Sequence, residues 1–140
     1  MKGISYNNYI FFVTLMSLLG TVGSLFMSEV MKLTPCSLCW YQRICLYPIL
    51  LVCIVSLVKK YENTNEYIKY LSGIGLIISI YQYTIQMTQT KSLFCGLYED
   101  CSSIDLIYGG FITIPFLAML AFLFIFILSF LIKDSKTIHN

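Results

Sequence analysis

The sequence predicts an all-α membrane protein. Residues 1–140 read as one integral domain, a four-transmembrane-helix bundle with both termini cytoplasmic and two short outer loops that carry cysteine pairs. Three observations predict this: the composition, the charge-free windows and the distribution of lysine and arginine. The 140 residues are 58% hydrophobic and only 11% charged, against roughly 25% charged in an average soluble domain. A water-soluble globule of this size has too much surface to cover with so little charge. The same composition excludes a disordered chain, and a net charge of +2 is too small for a nucleic-acid binder.

Four windows lack any charged residue. Gly3–Ser28 has 26 residues, Ile44–Val58 has 15, Tyr70–Thr90 has 21 and Leu106–Ile132 has 27. A helix needs about 20 apolar residues to cross a bilayer. The expected spans are about 8–28, 39–58, 70–89 and 110–132. The first is longer than the apolar stretch of a cleavable leader and has no A-x-A-like site after it, so it reads as a helix that stays. Gly20 and Ser24 within it have the small-xxx-small spacing of close helix packing. The second window is short, but Thr34-Pro35 offers an N-cap followed by proline at the first helical position. A helix starting there gives residues 39–58 a length of about 30 Å, enough to cross the hydrocarbon. Residues 59–69 are expected to form a polar turn, and the tail after Lys133 to fray.

Four spans place both termini on one side. That side carries Lys2, Lys59, Lys60, Lys69, Lys133 and Lys136, whereas the other carries Lys32, Arg43 and Lys91. Lysine and arginine accumulate on the cytoplasmic side, so the loops near 28–38 and 89–110 are expected to face out, where disulfides persist.

The six cysteines fall into three settings. Cys36 and Cys39 form a CxxC at the start of the second span. At i, i+3 they share a helical face, and backbone N–H groups at a helix start favour a thiolate. Arg43 is four residues beyond Cys39 on the same face, one turn inside the span, where a charge is costly and usually functional. Alone, Arg43 reads first as a residue that snorkels to lipid phosphates, and a lone CxxC could be a metal half-site or a structural bridge. Together, CxxC with arginine at i+4 is a more specific pattern. Cys95 and Cys101 lie in the second outer loop. On a helix they would be separated by about 9 Å in rise, and extended by about 20 Å, whereas a bridge needs Cα atoms roughly 4.4–6.8 Å apart. A bridge therefore requires the intervening chain to turn back, which Gly96 permits. Such a bridge could be a staple or an exposed target for a partner's thiolate. Cys45 and Cys53, among apolar neighbours, read as small buried hydrophobes.

Gln82, Gln86 and Gln89 recur at i, i+4 and i+7 on the third span. The row reads as facing the bundle interior, either to hydrogen-bond another helix or to line a site for a polar headgroup. Trp40, Tyr41, Tyr81 and Tyr83 read as interfacial aromatics. Two cysteine pairs in series, without a soluble cofactor domain, suggest thiol–disulfide exchange that ends on a lipid-soluble acceptor, and a quinone fits.

The stretch Pro35-Cys36-Ser37-Leu38-Cys39-Trp40-Tyr41-Gln42-Arg43 resembles the P-C-x-L-C-x-Y-[QE]-R signature of the DsbB family of membrane thiol:quinone oxidoreductases. The short chain and the close Cys95/Cys101 pair are most similar to its compact BdbC-like branch. The resemblance implies an enzyme of the bacterial inner or plasma membrane, multi-pass and embedded in lipid, that supports disulfide formation in exported proteins. It would reoxidise a DsbA-like thioredoxin-fold partner, a strong oxidant near about −120 mV, and pass the electrons to ubiquinone or menaquinone. Cys95 would be attacked by the partner and Cys101 would be its bridge partner. Cys36 would exchange with the loop pair, Cys39 would engage the quinone and Arg43 would hold and polarise it. Gln82 and Gln86 are further quinone-binding candidates, and no metal is expected. Longer members of the family have many more residues between their loop cysteines than the five here. The competing readings are a non-enzymatic membrane protein with a four-cysteine metal site, a vitamin-K-epoxide-reductase-like oxidoreductase, whose CxxC sits late in its bundle, and a small structural partner with stapled loops.

Overall fold

A computed structural model describes residues 5–32, 36–59, 63–90 and 113–132. The described chain is helical throughout: α1 (Tyr6–Glu29), α2 (Ser37–Val58), α3 (Thr64–Thr88) and α4 (Ile114–Leu131). Cys95 and Cys101 lie outside the described residues, as do Thr34 and Pro35. Among the described helices, α1, α2 and α4 are long and apolar enough to cross a membrane.

The helix α3 differs from expectation at its start. The charge-free window opens at Tyr70, but the helix begins six residues earlier and includes Glu66 and Lys69. Absence of charge marks what can enter hydrocarbon. It does not mark where backbone hydrogen bonding begins, so most of the expected 59–69 turn is a helix start. The buried face of α3 holds Ile68 and Ile85 but is mostly made of small and polar residues. Thr64, Ser72, Gly75, Ser79, Gln82 and Gln86 are buried on it, whereas Ile74 and Ile77 are exposed. The buried Ser72 and Ser79 hydroxyls are satisfied within the helix itself, donating to the Lys69 carbonyl at 3.1 Å and the Gly75 carbonyl at 2.8 Å.

Each helix packs on the next in sequence, and α1 also meets α4, so the four close into a ring. Their cross-contacts show an antiparallel arrangement. At one end, Tyr6 and Ser56 hydroxyls lie 2.6 Å apart, joining the start of α1 to the end of α2. There Thr64 donates to Ser56, Tyr9 donates to Asn65 Oδ1 at 2.8 Å, and Asn65 donates to the Ser129 carbonyl at 3.2 Å. Every helix thus contributes to one polar tie. Between the two ends lies the apolar core of Tyr9, Ile10, Val13, Cys45, Leu46, Ile49, Cys53, Ile68, Phe122, Ile125 and Leu128.

Two glycines set close approaches. A Cβ on Gly20 would lie 2.9 Å from Leu46 Cδ2, which seats α1 on α2. A Cβ on Gly75 would fall against the ring carbons of Phe122, so α3 and α4 pack only because that side chain is absent. Phe11, Phe12, Leu19, Val22, Leu51 and Phe130 are exposed, a surface suited to lipid contact.

Candidate active site

At the opposite end from the polar tie, α2 begins with the CxxC. Cys36 is the N-cap, extended at φ −69° and ψ 166°, and Ser37 is the first helical residue. The helix therefore starts two residues later than the Thr34-Pro35 pattern predicts. This makes the CxxC spacing equal to the N-cap-to-N3 spacing, in which an N-cap side chain folds back over the first turn. The Cys36 carbonyl accepts the first helical bond, from the Trp40 N–H at 3.2 Å. The Cys36 and Cys39 sulfurs lie 3.1 Å apart as a hydrogen-bonded thiol pair. Both are half-buried. Cys36 packs against buried Leu38 and Ile85. Its hydrogen bond to Cys39, and then burial, hold the Cys36 thiol well above its ordinary range, so this sulfur keeps its proton.

Gln82 reaches the pair from α3. It is 1% exposed, and its Nε2 donates to Cys36 Sγ at 3.3 Å and to Cys39 Sγ at 3.2 Å. Its Oε1 accepts from Gln42 Nε2 at 2.8 Å. Gln82 thus makes the helix-to-helix hydrogen bond and also contacts both sulfurs. The glutamine row divides beyond this point. Gln86 is buried one turn further on, while exposed Gln89 ends the helix in a left-handed conformation with its amide donating to the Gln86 carbonyl.

Arg43 turns toward α1. Nε donates to Ser24 Oγ at 2.7 Å, and Nη2 donates to the Ser24 carbonyl at 2.9 Å and to Ser28 Oγ. The cation thus rests near the negatively polarised C-terminal end of α1, with the Trp40 ring 5.4 Å away. The sequence shows no carboxylate at helical spacing from Arg43, and the structure meets its charge with hydroxyls and a carbonyl of another helix. These bonds use Nε and Nη2; among the described residues no protein acceptor engages Nη1.

Sequence reasoning gave no site role to Ser24, Ser28 or Gln42. Ser24 and Ser28 lie at i, i+4 in an otherwise apolar stretch, a one-faced polar pair whose signal is present but whose target is not. Gln42 lies at i+3 from Cys39. Cys45 and Cys53 are buried in the apolar core, away from this cluster. An open apolar groove of about 480 Å³ runs between Met16 of α1 and Leu117, Leu120, Phe124 and Ile127 of α4.

Residues 6–132 match the family described as disulfide bond formation protein DsbB. An SPbeta prophage-derived disulfide bond formation protein B of Bacillus subtilis is 46% identical over 128 residues, covering 89% of this chain and 86% of that protein. A probable disulfide formation protein of Oceanobacillus iheyensis is 42% identical, covering 89% and 88%. A probable disulfide formation protein C 1 of Bacillus anthracis is 41% identical, covering 86% and 88%. No solved structure matches significantly.

Proposed function

The chain belongs to the DsbB family and is a membrane disulfide-forming oxidoreductase, and from that premise we propose that it oxidises a DsbA-like thioredoxin-fold protein outside the cell membrane and reduces a membrane quinone. The observation that carries this reading is the thiol pair at the head of a membrane-compatible helix, its sulfurs 3.1 Å apart. A dithiol in that position can deliver electrons to an acceptor dissolved in lipid.

The proposed relay has three balanced exchanges. The partner's thiolate attacks the Cys95–Cys101 bridge, leaving the partner oxidised and the loop pair as two thiols. The loop pair then reduces a Cys36–Cys39 disulfide. Finally the two thiols of Cys36 and Cys39 give two electrons and two protons to the quinone, which leaves as hydroquinone while their S–S bond re-forms. Cys36 is the member that exchanges with the loop, because as the N-cap it stands at the mouth of α2, ahead of the first helical turn. Cys39 engages the quinone. Arg43, oriented by Ser24 and Ser28, presents Nη1 to a quinone carbonyl oxygen as negative charge grows there. Gln82 and Gln86 supply further polar lining, and the α1–α4 groove suits an apolar tail.

We place all four helices across the bacterial plasma membrane with both termini cytoplasmic. Support comes from the lysine and arginine distribution and from the polar residues that α3 buries, Ser72, Ser79, Gln82 and Gln86, while Ile74, Ile77 and Ile80 are exposed. The test is reconstitution of the full chain with a quinone and a reduced DsbA-like protein, followed by quinone absorbance. Partner oxidation and quinone reduction are expected in equal amounts. Partner oxidation without loss of quinone absorbance under anaerobic conditions would exclude the quinone as acceptor.

A further inference from the structure

We propose that Gln82 is a positioning residue of the Cys36–Cys39 pair, held in place by Gln42, and that it favours the reduced pair over the disulfide. An amide nitrogen carries two hydrogens and its oxygen carries none. Gln82 Nε2 points one toward each sulfur, at 3.3 and 3.2 Å. The orientation is fixed from behind by the 2.8 Å bond from Gln42 Nε2 to Gln82 Oε1. A flipped Gln82 amide would turn its hydrogens onto the Gln42 donor and withdraw both N–H groups from the sulfurs. Gln82 is 1% exposed and Gln42 8%, so water does not compete freely for these donors.

The effect depends on the oxidation state of the sulfurs. A thiolate is a strong acceptor, and a hydrogen bond to it is charge-assisted. Sulfur in a disulfide is a weak, neutral acceptor. A donor that touches both sulfurs therefore gains more with the reduced pair than with the bridge. Reduction breaks the S–S bond and adds two electrons, with two protons, or one while a sulfur remains a thiolate. The electrons come from the loop dithiol and leave to the quinone as the bond re-forms. Gln82 thus makes the pair a stronger oxidant toward the loop and sets how far its potential lies below that of the quinone. Gln42 acts only through Gln82.

The inference rests on the reading of Cys36 and Cys39 as the redox pair, and the experiment separates the two. The full chain carrying Cys95→Ser and Cys101→Ser is equilibrated in glutathione redox buffers, and the Cys36–Cys39 state is read by alkylation and mass. Gln82→Leu is expected to lower the equilibrium constant for reduction about tenfold, about 30 mV for a two-electron couple. Gln82→Met, of similar volume and without a donor, gives the same reading should the leucine variant fold poorly. Gln42→Leu is expected to shift the constant in the same direction by less. The double variant should match Gln82→Leu alone. A constant within threefold of the parent for both Gln82 variants overturns the proposal, and additive shifts in the double variant overturn the role of Gln42. Loss of packing alone would lower stability without moving the constant in this direction. A parent pair that forms no disulfide in any buffer overturns the site reading itself, and the proposal with it.

Discussion

Ser24 and Ser28 offer a test of whether Arg43 works as an oriented group or only as a charge. Ser24→Ala removes the acceptor of Nε, and Ser28→Ala removes one acceptor of Nη2; the Ser24 carbonyl remains. A hydrogen bond to a charged group contributes roughly 1.5–3 kcal/mol, and a neutral one about 1 kcal/mol. Arg43 is only partly buried, so solvent screening reduces the value for two bonds to about 1–2 kcal/mol. If that energy holds Nη1 toward the quinone, its loss appears as a roughly five- to thirtyfold rise in apparent quinone KM, since about 1.4 kcal/mol is tenfold. The assay is quinone reduction by reconstituted protein at saturating reduced partner. KM should rise from the parent to Ser24→Ala, then to the double variant, and be highest for Arg43→Ala. Ser24→Thr and Ser28→Thr keep the hydroxyls and should stay near the parent. Arg43→Lys should recover part of the activity, because charge survives while the planar fork is lost. A double alanine variant within twofold of the parent, alongside a large Arg43→Ala effect, would refute orientation by α1. No effect from Arg43→Ala would reduce Arg43 to a membrane anchor.

The cysteines should separate by function. Cys95→Ser or Cys101→Ser should stop partner oxidation while the Cys36–Cys39 pair still reacts with quinone, and Cys36→Ser or Cys39→Ser should stop quinone reduction. Cys45→Ala and Cys53→Ala should keep turnover and cost about 1 kcal/mol of stability at most; loss of turnover in folded protein would show that the core cysteines take part. Gly75→Leu should destabilise the bundle by about 1–3 kcal/mol through overpacking on Phe122, whereas Gly23→Ala, with no neighbour within 4 Å, should not; denaturant titration of both variants compares them. Membrane-impermeant labelling of reduced intact cells should reach Cys95 and Cys101, and a C-terminal reporter should read cytoplasmic; the reverse pattern would refute the charge-based orientation.

The sequence by itself determined the class and the family. Hydrophobicity and charge are local properties, so α1 and α4 were legible as charge-free windows and α2 as a short window extended by its capping signal. The window from Tyr70 to Thr90 falls largely in α3, which is not among the three described helices apolar enough to cross a membrane. The nine residues from Pro35 to Arg43 form a contiguous motif, so the family was legible without a fold. Local pattern also placed Cys36, Cys39 and Arg43 near one another, because helical spacing fixes neighbours within a turn or two. It misplaced the start of α2 by two residues and the start of α3 by six, since charge and capping signals locate boundaries only loosely. Tertiary structure decided the partners. Ser24 precedes Arg43 by nineteen residues, and Gln82 follows Cys39 by forty-three. Periodicity says that Ser24 and Ser28 share a face and that Gln82 and Gln86 share another. It does not say which face of one helix meets which turn of the next. That register is set by packing between helices, by Gly20 on Leu46 and Gly75 on Phe122, because steric fit at a crossing exists only once both surfaces are present.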